Sequence, residues 1–302
     1  MAGSAQSGYQ RAGPGASATA PHSLVRRAGP KRGALAIAIV SALSFPGGVR
    51  AAGPASGRGT VSKIVEQIQR ADYEGDRSAL QRLYEGLAPF NDDKELGFQV
   101  CYWRGFALWR RALNGFNESA GRAGLEHDLQ SAVKEFEASS RRNPAFVEPK
   151  IAALSCISSL LFLTQNDASR VHDLLVKGLP LLREAQAAEP ENPRLLWVLG
   201  ARAWYNPPER GGGEAIALET YQKGLLAARQ HKAAANEPLV PNWGEPELLM
   251  NLAWSNLHRQ EPDLHSAEQY ALQALALVPY WHYVRDILLP QIQDAKRKRR
   301  HE

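Results

Sequence analysis

The sequence predicts an all-α chain built from antiparallel helix pairs. Three observations carry that expectation. From Val61 onward no Val/Ile/Thr-rich run alternates with period two. Apolar residues recur at three and four instead, as in Ile64/Ile68, Leu80/Leu83/Leu87, Val133/Phe136 and Leu248/Leu252. That is the spacing of one helix face. Short clusters of Gly, Pro, Asn and Asp punctuate the chain, among them Glu74-Gly75-Asp76, Arg142-Asn143-Pro144, Gln165-Asn166-Asp167 and Glu261-Pro262-Asp263. Helices stop and restart at such clusters, and short connections set neighbours antiparallel.

The first 51 residues stand apart. They hold six basic residues and no acid. Arg26, Arg27, Lys31 and Arg32 precede the apolar stretch Ala34–Phe45, which Pro46-Gly47-Gly48 breaks. Val49-Arg50-Ala51 then offers small residues for cleavage after Ala51. A basic start, a short apolar stretch and a small-residue site together read as a secretory signal peptide. Residues 1–51 are therefore expected to be a disordered extension plus signal, 52–60 a linker, 61–295 the helical domain and 296–302 a basic tail. The chain is expected outside the cytoplasm, periplasmic or secreted, with no membrane span once cleaved.

Charge and cysteine content narrow the classes further. The 302 residues carry a net charge of +5, but the excess lies in the first 51 residues and in Lys296–Arg300, leaving the body acidic. A nucleic-acid binder concentrates basic residues on its folded domain, so no nucleic-acid partner is expected. Two cysteines exclude a disulfide-rich mini-fold and a multi-cysteine metal cage.

Within the helical body one pattern repeats. Ala132, Phe136 and Ser139 lead to Pro144; Leu182 and Ala185 lead to Pro190; Ala267, Ala271 and Ala274 lead to Pro279. Upstream, Trp103-Arg104-Gly105-Phe106, Val198-Leu199-Gly200 and Asn251-Leu252-Ala253 each set a small residue within an apolar helix. This resembles the tetratricopeptide repeat, a helix–turn–helix unit of about 34 residues. On that resemblance Leu199, Gly200, Ala217, Tyr221 and Gly224 form one unit. Leu252, Ala253, Ala267, Ala271, Ala274 and Pro279 form another. Gly105, Ala132, Phe136 and Pro144 form a third. Residues 146–190 are a fourth with a weak first helix, 61–88 a degenerate first pair, and 280–298 a capping helix. Asn114–Asp128 and Asn206–Gly213 exceed the family spacing and are expected to be inserted loops. From Asn192 to about Leu257 the chain is similar to exported bacterial tetratricopeptide-like proteins without a known biochemical role. The residues carrying this are Trp204-Tyr205-Asn206-Pro207, Gly211-Gly212-Gly213-Glu214-Ala215, Tyr221-Gln222-Lys223 and Pro241-Asn242-Trp243-Gly244.

The resemblance implies a solenoid whose first helices line a concave groove. Helical projection then turns Tyr102, Trp109 and Arg110 inward, with Arg194, Trp197, Trp204 and Tyr205 and with Met250, Trp254 and His258. Aromatic rings with arginine are what a peptide-binding surface uses, though large rings also serve as packing between helices. Tyr102 and Phe106 stand where chaperone-binding relatives keep a carboxylate clamp, so an acidic C-terminus is not the expected ligand.

Other motifs carry less. Gly211-Gly212-Gly213 lacks the Lys-Ser/Thr of a phosphate loop and reads as a structural turn, with Trp243 folded against it as a plug. Glu126-His127-Asp128 is a weak metal candidate, and no catalytic residue, metal ligand set or cofactor is implied. Ile151–Leu163 is expected to be a helix buried in mid-stack. Cys101 and Cys156 fall in the first helices of adjacent repeats; a disulfide and two free thiols both remain open. The expected function is a non-enzymatic adaptor binding a protein or peptide. The alternative is a solute-binding accessory component of a transport system, with a closed pocket around Trp204, Tyr205 and Trp243.

Overall fold

The computed structural model describes residues 54–230 and 237–299. The expected signal peptide and its cleavage site at Ala51 lie outside these residues. Eleven α-helices and no strand occur among the described residues. They are α1 (Pro54–Glu74), α2 (Arg77–Gly86), α3 (Gly97–Asn117), α4 (Arg122–Arg142), α5 (Glu148–Thr164), α6 (Ala168–Ala188), α7 (Pro193–Tyr205), α8 (Glu214–Gln230), α9 (Glu245–His258), α10 (Leu264–Leu277) and α11 (Leu289–Arg299). A π-helical turn, Tyr283–Leu288, leads into α11. No described helix is long and apolar enough to cross a membrane.

The punctuating clusters start helices by side-chain capping. Asp76, Asp167 and Asp263 each accept a hydrogen bond from the backbone N–H three residues on. Asn192 caps α7 through the N–H groups of Arg194 and Leu195. Each cap satisfies an N–H that the helix itself leaves without a partner.

Consecutive helices pack in pairs. Gly97 approaches Arg142, Gly105 approaches Phe136 and Gly115 approaches Leu125. One number rises as the other falls, so α3 and α4 run antiparallel. Gly105 and Gly200, the glycines noted in the sequence, sit at such close approaches. A β-carbon on Gly105 would lie 2.8 Å from the Phe136 ring, and one on Gly200 would run into the Tyr221 ring.

Three boundaries differ from expectation. α1 begins at Pro54, so the stretch read as a linker is helical from there. The extra residues in Asn114–Asp128 lengthen α3 and α4 rather than forming a loop, because α3 continues to Asn117 and α4 starts at Arg122. Lys296–Arg299 belong to α11, with Lys296 paired to Glu268. In α5 the mid-stack expectation holds for Ile151–Ile157, all buried, but Phe162 is 62% exposed.

The array also folds back on itself. Tyr73 on α1 donates a hydrogen bond to Glu247 on α9 at 2.9 Å. Its ring lies edge-on to Trp281, 5.0 Å between centroids. Arg58, near the start of α1, pairs with Glu237 at 2.8 Å. The first helix is thereby held against the segment before α9 and the segment after α10. The largest fully buried side chains include Trp103, Trp109, Tyr102 and Phe106, all on α3.

Candidate functional site

The ten residues expected to line the groove separate into two groups. Tyr102, Trp109, Arg194 and Trp197 meet the chain's own segment 237–244, which precedes α9, and Arg110 is buried beside them by Asp72 and Glu247. Pro238 and Pro241 bring no N–H into this segment, so fewer donors need partners on burial. Leu239 and Trp243 are buried. The Trp243 ring packs edge-on against Trp109 at 5.3 Å and Trp197 at 5.8 Å, and lies 6.0 Å from Phe106. Its Nε1–H donates to the Tyr102 hydroxyl at 2.9 Å. Trp103 Nε1–H donates to the Leu239 carbonyl at 3.0 Å. The expected contact of Trp243 with the glycine turn is replaced by these contacts. The turn closes on its own neighbours: Gly213 N–H donates to the Ala203 carbonyl, and Gly211 and Gly213 hold positive φ of 73° and 107°.

Two ionic networks flank the Trp243 ring. Arg194 grips Glu148 through Nε–H at 2.6 Å and through Nη2, and its Nη1–H donates to the Trp243 carbonyl at 3.1 Å. Asn192 Nδ2–H adds a bond to Glu148 at 2.8 Å. On the other side Arg110 stands between two buried carboxylates. Its Nε–H donates to Asp72 at 2.6 Å and its Nη2–H to Glu247 at 3.4 Å. Gly244 N–H donates to the second oxygen of Glu247 at 2.8 Å, and Asn114 Nδ2–H to Asp72 at 3.1 Å. Burial acts against the Arg110 charge, but Asp72 and Glu247 outweigh it and hold the guanidinium pKa above its ordinary value. Burial likewise pushes the Tyr102 and Tyr73 hydroxyls up, keeping both neutral. Four of these expected groove residues are therefore buried and Arg194 is part-buried; the two arginines and Tyr102 have polar partners, while among the described residues the Trp109 and Trp197 Nε1–H groups have none.

The second group remains accessible. Trp204, Met250 and Trp254 are half-buried, His258 is exposed and Tyr205 is 76% exposed. The Trp204 ring lies edge-on to Trp254 at 5.4 Å, and Trp254 stacks on His258 at 4.3 Å. His258 Nδ1 faces the Trp254 carbonyl at 2.8 Å. A carbonyl only accepts, so Nδ1 donates to it. Tyr283, which opens the π-helical turn, neighbours Tyr205. Burial, then the neighbouring Tyr205, pushes its hydroxyl pKa up to about 12. π-Helical turns occur disproportionately at functional sites.

No family model, curated protein or solved structure matches this chain. The site stands on its own geometry.

The remaining candidates resolve simply. Trp204 and Tyr205 do not share a ring cluster with Trp243; Trp197 and Trp204 are seven residues apart on α7, about 10.5 Å along its axis. Glu126 is turned to Arg122 and Arg170, whose hydrogen bonds hold its pKa low. Asp128 is turned to Arg111, and burial pushes its carboxyl up against that arginine's effect. The Glu-His-Asp run therefore spends its carboxylates on arginines. Among the described residues no cluster of three or more His, Cys, Asp or Glu could hold a metal ion. Cys101 and Cys156 are separate buried thiols, so the disulfide left open by the sequence is not formed. Cys101 donates to Asn91, and burial pushes both thiols up. A hollow of about 350 Å³ between α1 and α2 is lined by Gln67, Arg70, Glu74 and Arg82 among others, and by none of the ten expected residues.

The sequence did not single out Asp72, Glu148, Leu239 or Glu247. The signal for the covering segment was present in Glu237-Pro238-Leu239-Val240-Pro241, an apolar, proline-bounded run outside any helical period. The partners it covers lie 136 and 141 residues away, beyond any local pattern.

Proposed function

We propose that the chain is an exported, non-enzymatic tetratricopeptide-like adaptor. It holds a peptide or protein segment against the surface formed by Trp204, Tyr205, Trp254 and His258. The small-residue–aromatic contacts Gly105–Phe136 and Gly200–Tyr221 fall where the repeat pattern sets its small and aromatic positions, which supports the repeat reading. The observation that carries the binding reading is Tyr205. A ring 76% exposed, next in the chain to Trp204 of the half-buried Trp pair, is a ready anchor for an incoming side chain. The basic and apolar run before Ala51 supports export.

The solute-binding alternative has less support, because Trp204 and Tyr205 stand in a different cluster from Trp243. A photo-crosslinking phenylalanine at position 205, in a bacterial host that exports the chain, tests the adaptor. Adducts are expected on one discrete partner, and Trp204→Ala and Trp254→Ala reduce them at least fivefold. The reading fails if there are no adducts, or if those two substitutions leave the adducts unchanged. The exported protein is expected to begin at Ala52 on N-terminal sequencing.

A further inference from the structure

The chain's own cover shows what its indole rings take up. Residues 237–244 lie outside any helix and carry Pro238 and Pro241. Between those prolines, the Leu239 carbonyl accepts from Trp103 Nε1–H at 3.0 Å. The chemistry is complementary. Proline has no N–H, so a segment built around it offers carbonyl acceptors and few donors. An indole offers one donor and no acceptor.

The accessible rings repeat that donor chemistry without a cover. Trp204 and Trp254 are half-buried and edge-on to each other. Among the described residues neither Nε1–H has a hydrogen-bond partner, and unlike those of Trp109 and Trp197 both reach the surface. His258 stacks on Trp254 and steadies that ring.

We propose that the segment bound at Trp204 and Trp254 is proline-rich. Its carbonyls accept from the two indole N–H groups, and its pyrrolidine rings lie on the indoles. This rests on the adaptor reading above and names the chemistry of the partner. A segment of ordinary residues would bring N–H groups that the indoles cannot accept, and a sugar hydroxyl or an ammonium would do the same. Proline also holds φ near about −65°, so the segment has less freedom to lose on binding. Aromatic-lined surfaces take proline-rich segments on the same grounds.

Isothermal titration calorimetry of the full chain with decaproline tests this, beside a Gly-Ser decamer and chitotetraose. Decaproline is expected to bind saturably, about tenfold more tightly than the Gly-Ser decamer. Trp204→Phe and Trp254→Phe keep a ring and lose the donor. Each is expected to weaken binding about fivefold, the worth of one hydrogen bond, with circular dichroism and Tm unchanged. Decaproline binding no tighter than Gly-Ser overturns the proposal. So does binding that both Phe variants leave intact, or chitotetraose binding in its place. Adducts at position 205 without decaproline binding sink this inference and leave the adaptor reading standing.

Discussion

Two parts of one aromatic face behave differently. Around Trp109 and Trp197 the rings are sealed by Trp243 and braced by buried Arg–carboxylate networks. Around Trp204 and Trp254 the rings meet each other and then meet solvent. Both parts have the same composition of Trp, Tyr and Arg or His on first helices. What separates them is whether a distant stretch of the same chain lies on top. Residue type therefore marks an adhesive surface, while covalent connectivity decides whether it is already in use.

The sharpest test of this contrast is to remove a brace or the plug from the sealed part. Arg110→Met leaves Asp72 and Glu247 buried without a counter-charge, and breaking such a network costs about 3–5 kcal/mol. Trp243→Ala removes a ring packed against three others and strands the Tyr102 hydroxyl, at about 3–5 kcal/mol. Urea denaturation reads both; a loss under 1 kcal/mol in either would mean that the segment is not core. Next, Gly200→Ala drives a methyl into the Tyr221 ring and is expected to cost about 1–3 kcal/mol, as overpacking does. That effect belongs to helix pairing and is felt beneath the accessible part as well.

A smaller effect separates local from distant support. Asp263 caps α10, and the Ser266 N–H, followed by its hydroxyl, holds the carboxyl pKa low. A lowered pKa means that the unfolded chain binds a proton more readily. The contribution is thus present above the ordinary carboxylate range and lost as pH falls through the folded value. Asp263→Ala is expected to cost about 1 kcal/mol at neutral pH. The gap from wild type should close in acid; a gap that persists when the carboxyl is protonated would assign the loss to packing. Smallest of all, Tyr205→Ala is expected to change stability by no more than about 0.5 kcal/mol. The same substitution is expected to abolish partner binding. Together these outcomes would separate an anchor from a packing residue.

Much of this was legible locally. The Asp-capped starts of α2, α6 and α10 follow from Glu74-Gly75-Asp76, Gln165-Asn166-Asp167 and Glu261-Pro262-Asp263. The groove residues were projected onto α3, α7 and α9, where the structure has them. The remote partners of five of them were not legible, because they rest on pairs such as Arg110 with Glu247, 137 residues apart. Helical periodicity reports that a face is apolar and says nothing of which remote segment meets it. α6 shows the converse. Leu175, Val176 and Leu179 belong to an apolar run, yet they face solvent where the next pair packs on α5 instead.

The hold of α1 on residues 237–282 has a consequence for the order of synthesis. In an open row of repeats each unit can settle once its neighbour has left the ribosome. Here the first described helix packs on α2 and α3 as they follow it, but its other partners exist only once residues 237–281 have been made. Contacts of such long sequence separation slow folding, since loop closure must precede the reward. The earliest part of the domain is then the last to be enclosed, and until that moment its apolar side must be kept from premature company.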